Sequence, residues 1–267
     1  VDGVITDLVA LALYNRQAED TAEVRLVAVR TAMEPSPTRP QFRILATGQW
    51  FDQESGGRIS STSVSSFTQQ VPVEALRGIP IGVSEGTVVA YITDRLLQAE
   101  GLRSEDITKL AVPKILERMA LLRSGELQAA TLPEPLASLA IQNGAIVVVD
   151  DTQHHQYSSS IFAFRKAVLE TRPEAVRGFL AAIERASADI NADKARWQAL
   201  LIEKKLVPPA LDGEYSLPDY PVATMARVNL PTAAQFADVL NWLETLSRLD
   251  VVTLSYRDVV DDSFLPR

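Results

Sequence analysis

The stretch IPIGVSEGTVVAYITDRLLQAEG, residues 79–101, decides how this 267-residue chain is read. Three of its first five residues are β-branched, which marks a short buried strand. Ser84-Glu85-Gly86-Thr87 is a polar turn containing a glycine. Behind it apolar residues recur at helical spacing as far as Gly101, a residue suited to the position just past a helix end. This strand–turn–helix unit then recurs. Strand 109–112 leads to helix 114–124 and Gly125, strand 128–132 leads to helix 135–143 and Gly144, and strand 145–149 closes the series. Strands alternating with helices of about ten residues imply a parallel sheet covered on both faces.

Working outward, Val4-Ile5, Thr6-Asp7 and the apolar run 8–14 repeat the strand–turn–helix pattern, and 24–29 is a buried strand. Three prolines between Glu34 and Pro40 make a loop, and 42–46 is another strand. Residues 49–70 are rich in Ser, Thr and Gln, with Gly56-Gly57 as a turn, and read as a crossing that carries a hairpin. The polar run 150–157 is a second crossing, followed by strand 158–164. Helices are expected over 173–190 with Pro173 in the first turn, over 194–205, and over 232–247 capped by Thr232, with a proline-rich loop at 207–231. The chain therefore divides into lobe one (1–48), a crossing segment (49–78), lobe two (79–152), and a return that completes lobe one and adds the C-terminal helices (153–267). Two crossings between two α/β lobes form a hinge, with ligand space beyond the carboxyl ends of the strands.

Composition narrows the chemistry. Hydrophobic residues make up 46% and charged residues 22%, as in a globular protein. The net charge is 26 − 34 = −8, which works against binding a phosphate backbone, so nucleic acid is not an expected partner. With no cysteine, disulfides, thiolate catalysis and Cys-based metal sites are excluded. No apolar run reaches the ~18 residues of a membrane span.

Three strand-to-helix junctions carry candidate binding residues: Thr6-Asp7, Ser84 to Thr87, and Glu134 beside Pro133 and Pro135. Helix starts offer backbone N–H groups and a positive dipole end, suited to a sulfonate, carboxylate or phosphate. Ser84 and Thr87 add hydroxyls, and Gly86 leaves room for a ligand near the backbone. The plainer alternative makes Ser84 an ordinary N-cap, with Glu85, Asp7 and Glu134 acids favoured by the dipole. Arg30, Thr31 and Trp50 are further candidates to face the cleft, although packing or surface roles suit them as well. His154-His155 stand beside Asp150 and Asp151, but adjacent side chains on an extended chain diverge, which makes them poor metal chelators. No G-x-S-x-G motif is present.

LRGIPIGVSEGTVVAYITDRLLQAEGL, RMALLRSGELQAATLPEPLASLA, the tail VVTLSYRDVVDDSFLP and the opening VDGVITDLVAL together resemble the substrate-binding proteins of ABC importers, in the nitrate, sulfonate, taurine and thiamine-precursor branch. SGELQAATLPEP is the most specific match, and 49–72 the weakest region. The resemblance implies an α/β, two-lobed type II periplasmic-binding-protein fold, two doubly wound lobes joined by a two-crossing hinge. It also implies that an N-terminal strand-helix-strand is missing ahead of Val1. Ligand contacts implied are Thr6 and Asp7 in lobe one, Ser84, Gly86, Thr87 and Glu134 in lobe two, and Ser159 at the return crossing. The implied function is a monomeric extracytoplasmic receptor, periplasmic or lipid-anchored at the cell surface, without cofactor, metal or catalytic residues. It would deliver a small polar, anionic or zwitterionic molecule (a sulfonate, nitrate or an aminopyrimidine) to a membrane permease. The alternative is a biosynthetic enzyme on the same fold, of the menaquinone-pathway dehydratase or pyrimidine-synthase type. The cysteine-rich motif expected of the latter is lacking.

Overall fold

The computed structural model describes residues 1–17, 25–48, 72–204, 225–226, 229–246 and 254–265. The strand–turn–helix units form where the sequence puts them. β1 (Gly3–Asp7) leads to α1 (Leu8–Gln17), whose start is held by Asp7 Oδ1 accepting the Ala10 N–H at 2.9 Å. β2 (Leu26–Met33) follows. Asn15 of α1 exchanges two 2.8 Å hydrogen bonds with the Leu26 backbone and fixes the helix to the strand. β3 (Phe42–Ala46) comes next, then β4 (Pro80–Val83) and α2 (Val88–Ala99). β5 (Thr108–Ala111), α3 (Ile115–Ser124), β6 (Ala129–Pro133), α4 (Leu136–Gln142) and β7 (Ile146–Asp150) complete the series. β8 (Ser160–Arg165), α5 (Lys166–Thr171), α6 (Pro173–Ala192), α7 (Lys194–Glu203), α8 (Ala233–Thr245) and the short α9 (Tyr256–Val259) finish the chain. Thr232 caps α8 in a reciprocal capping box with Gln235.

The strands make two sheets, three-stranded in the order β1-β8-β2 and five-stranded in the order β5-β4-β6-β3-β7. The second sheet corrects two expectations. β3, assigned from sequence to lobe one, lies between β6 and β7 and runs antiparallel to both, so this sheet is mixed rather than purely parallel. Its Ile44, Leu45 and Ala46 are fully buried there. The first passage between sheets is therefore the proline-rich loop ahead of Phe42. The hairpin expected over 49–70, and Trp50, lie outside the described residues.

One core joins the two sheets. Leu8 and Leu11 of α1, Val89, Ile92 and Leu96 of α2, and Phe236, Val239, Trp242 and Leu243 of α8 pack in a single cluster with Ile44, Ile81, Val83 and Ile161 from the strands. A second cluster lies between the three-stranded sheet and α6, and a third under α3 and α4. The two crossings are tied to each other. The fully buried Asp151 accepts the Gln41 N–H at 2.9 Å and the Phe42 N–H at 3.2 Å. Burial pushes its carboxyl up to about 6, against the pull of the Ser158 hydroxyl and those two N–H groups. Among the described residues β1 pairs on one side, with β8, and its Val4 and Ile5 are exposed.

Candidate ligand-binding cleft

Where both crossings meet the three-stranded sheet, the surface opens into a cleft of about 960 Å³. Its lining comes from Thr31 of β2, the loop from Glu34 to Pro37, the segment from His155 to Ser159, the start of α8, and Tyr91 of α2. Tyr91, Gln156, Tyr157 and Ser159 also line a smaller cavity of about 10 Å³, shared with Asp7, Val9 and Val88 at the starts of α1 and α2. That is room for about one water molecule.

Local sequence explains this lining. Tyr91 stands one helical turn beyond Thr87, to whose carbonyl it donates its N–H at 3.2 Å, so it shares the face of the helix start. Its hydroxyl donates to Asp238 Oδ2 at 2.7 Å, and Arg95 Nε donates to the same oxygen at 2.7 Å. Burial and that carboxylate push the Tyr91 phenol well above its ordinary range. The Tyr91 ring meets Trp242 edge-on at 5.4 Å and Tyr157 edge-on at 6.2 Å. Alternation along β2 turns Thr31 to the face opposite Arg30, whose Nη1 donates to the Leu180 carbonyl of α6 at 3.2 Å. Thr31 is 2% exposed, yet its hydroxyl makes no hydrogen bond among the described residues. The Ser159 hydroxyl and the Glu34 carboxylate, both in the lining, are equally without a partner among the described residues.

The candidate residues separate into two groups. Asp7 and Ser159 come together at the small cavity, and Thr87 immediately precedes its Val88. Burial raises the Asp7 carboxyl, although the Ala10 and Val9 N–H groups of its own helix lower it in part. The others have internal partners. Thr87, rather than Ser84, is the N-cap of α2, accepting the Val89 N–H at 3.2 Å and donating to the Ser84 carbonyl at 2.7 Å. Ser84 donates to the Pro113 carbonyl at 3.1 Å and accepts from Arg118. Gly86 has φ +67°, so its lack of a side chain is first a backbone requirement. Glu134 is paired with Arg43 at 2.9 Å and accepts the Ser138 N–H at 3.1 Å, and its carboxyl is raised by burial. Thr6 sits opposite Ile161 in the β1–β8 ladder and lines neither cavity.

Sequence reasoning missed Tyr91, Tyr157, Asp238 and the role of Arg118. Tyr91 had a usable signal, being four residues past the cap. Arg118 had none. It is fully buried, and its guanidinium donates to the Val112 carbonyl (3.1 and 2.9 Å), the Thr131 carbonyl (2.7 Å) and Ser84, with no carboxylate partner among the described residues. Burial alone lowers its pKa to about 10. Of the two histidines, His154 pairs with Glu100 at 3.0 Å and His155 lines the cleft. Among the described residues no cluster of three His, Cys, Asp or Glu could hold a metal ion, and no helix is long and apolar enough to cross a membrane.

Residues 52–202, more than half of the chain, match the model of the NMT1-like family. The chain belongs to the NMT1-like family. Comparison with curated proteins finds no match. Among solved structures, this NMT1-like chain is similar to the alkanesulfonate-binding protein SsuA from Xanthomonas axonopodis pv. citri bound to MOPS, with 17% identity, TM-score 0.67, and coverage of 98% of this chain and 81% of that one. It is similar to the periplasmic nitrate-binding protein NrtA from Synechocystis PCC 6803, with 12% identity, TM-score 0.66, and coverage of 99% and 72%. The desulfurization enzyme DSZB is also similar, with 13% identity, TM-score 0.58, and coverage of 98% and 83%. At these identities the likeness is one of fold. The fold is the two-lobed α/β architecture of the type II periplasmic binding proteins.

Proposed function

We propose that this NMT1-like protein is an extracytoplasmic solute receptor. It holds a small polar, anionic or zwitterionic solute, such as a sulfonate, nitrate or an aminopyrimidine, in the cleft at the two crossings and delivers it to the permease of an ABC importer. It acts as a monomer, in the periplasm or at the cell surface. The observation that carries this reading is the cleft itself, whose Thr31 and Ser159 hydroxyls make no hydrogen bond among the described residues. Hydroxyls that line a cleft without a protein partner are open to water or a ligand. Family membership and the sulfonate- and nitrate-binding neighbours support the receptor class. The candidate contacts are Asp7 and Ser159, with Thr87 at the margin. Ser84, Gly86 and Glu134 support lobe two from within, and Thr6 belongs to the β1 ladder.

The likeness to a desulfurization enzyme keeps one other reading in view, an enzyme on the same fold. Thermal unfolding against sulfonates, nitrate and aminopyrimidines separates the two when each ligand is recovered afterwards. A solute present at ~100 times its dissociation constant adds ~2.7 kcal/mol and raises the midpoint. A raised midpoint with the solute recovered unchanged is the expected result. Conversion of the solute, or no shift with any member, would overturn the receptor.

A further inference from the structure

We propose that the molecule held in this cleft carries a protonated nitrogen, received by Glu34. The inference rests on the receptor reading above and adds the charge of its ligand.

The charge of the lining is one-sided. Among the described residues it contains two carboxylates, Glu34 and Asp238, and neither lysine nor arginine. Arg30, next to Thr31 in sequence, turns its guanidinium to the Leu180 carbonyl of α6, and Arg39 and Lys194 are also outside the lining. Asp238 is answered from within the fold by Arg95 and the Tyr91 hydroxyl, both at 2.7 Å. Glu34 is half-buried and has no ion pair or hydrogen bond among the described residues. The small cavity sharing Tyr91 and Ser159 with the cleft adds Asp7, which among the described residues has no cationic partner and accepts from its own helix start.

The helix starts, which would otherwise attract an anion, are already answered. Asp7 sits at the start of α1 and Thr87 caps α2. An anion entering here would meet Glu34 and Asp7 with no lysine or arginine countercharge among the described residues, whereas a cation would supply the charge that lining lacks. Tyr91 and Tyr157 add ring faces and edges to the walls, surroundings that accept a cationic group next to an apolar body. The Thr31 and Ser159 hydroxyls, without a partner among the described residues, can accept from the N–H groups of such a ligand.

Isothermal titration with benzylamine, benzyl alcohol and phenylmethanesulfonate, which share one ring and differ in charge, tests this together with the solute panel. The amine is expected to bind about tenfold or more tighter than the sulfonate, ~1.4 kcal/mol or more. Glu34→Gln should remove about that factor for the amine while leaving the alcohol and the thermal midpoint unchanged. Thr31→Val, which keeps the side-chain shape, should weaken the amine by a smaller factor without loss of stability. A sulfonate that binds tighter than the amine overturns the inference, as does amine binding indifferent to Glu34→Gln. So does a panel hit lacking a protonated nitrogen, and in both the sulfonate and the panel-hit cases the receptor reading stands. Silence of every compound overturns the receptor reading, and the inference falls with it.

Discussion

The Ser84–Thr87 turn and the Thr31–Glu34 region differ in how their polar groups are used. Both present at least one hydroxyl and a carboxylate at the end of a strand, and in the sequence the turn looks the better binding site. In the structure Ser84 and Thr87 have their hydrogen bonds made within lobe two, to Pro113, Arg118, the Ser84 carbonyl and the Val89 N–H. The Thr31 hydroxyl and the Glu34 carboxylate make none among the described residues, although Thr31 as a residue is as buried as the core. Residue type at a strand end thus indicates where a polar group is. Readiness for a ligand depends on which groups the fold leaves without partners.

The contrast can be broken, beginning with the largest effect. Arg118→Met would leave the Val112 and Thr131 carbonyls and Ser84 without their donor, and should cost about 4 kcal/mol of unfolding free energy in a denaturant titration. A loss under about 1 kcal/mol would show that the turn is not held from beneath as described. The junction of the crossings gives the next effect. Asp151 titrates at about 6 in the folded chain against an ordinary 3.8, because burial disfavours its charged form. The folded state therefore keeps a proton that the unfolded state releases, so stability falls as pH rises through that window, by about 3 kcal/mol. Asp151→Asn should lack this slope between those two pH values. An equal slope in both proteins would place the titration elsewhere. The smallest is Gly86→Ala, expected to cost about 1–2 kcal/mol because φ is positive there, with solute affinity unchanged. Lost affinity in a stably folded variant would return the turn to the binding site.

Much of the fold was readable in the sequence because the second lobe is made of local units. Strand, turn, helix and closing glycine each leave a mark within about twenty residues, and Gly101, Gly125 and Gly144 all have positive φ in the structure. β3 was misplaced because pairing partners leave no local mark. FRILA reads as a strand in any sheet, and only its burial between β6 and β7 assigns it. The site was readable in part for the same reason. Asp7 and Ser159 could be named from the ends of local units, whereas Tyr91 and Asp238 meet across 147 residues of chain and Arg118 reaches Ser84 across 34. Thr31 could be suggested as facing the cleft, but that its hydroxyl has no partner among the described residues could not be seen before the face opposite Arg30 was assigned.

Trp242 gives the molecule an optical consequence. Its indole is 2% exposed, donates to the buried Asp94 at 2.7 Å and meets the ring of Tyr91 at 5.4 Å, and Tyr91 is part of the cleft wall. The chromophore is thus dry, hydrogen-bonded and one side chain away from any guest. A guest that displaces Tyr91 alters the surroundings of an emitter placed between the two sheets, so occupancy registers in the protein's own ultraviolet fluorescence without an attached dye.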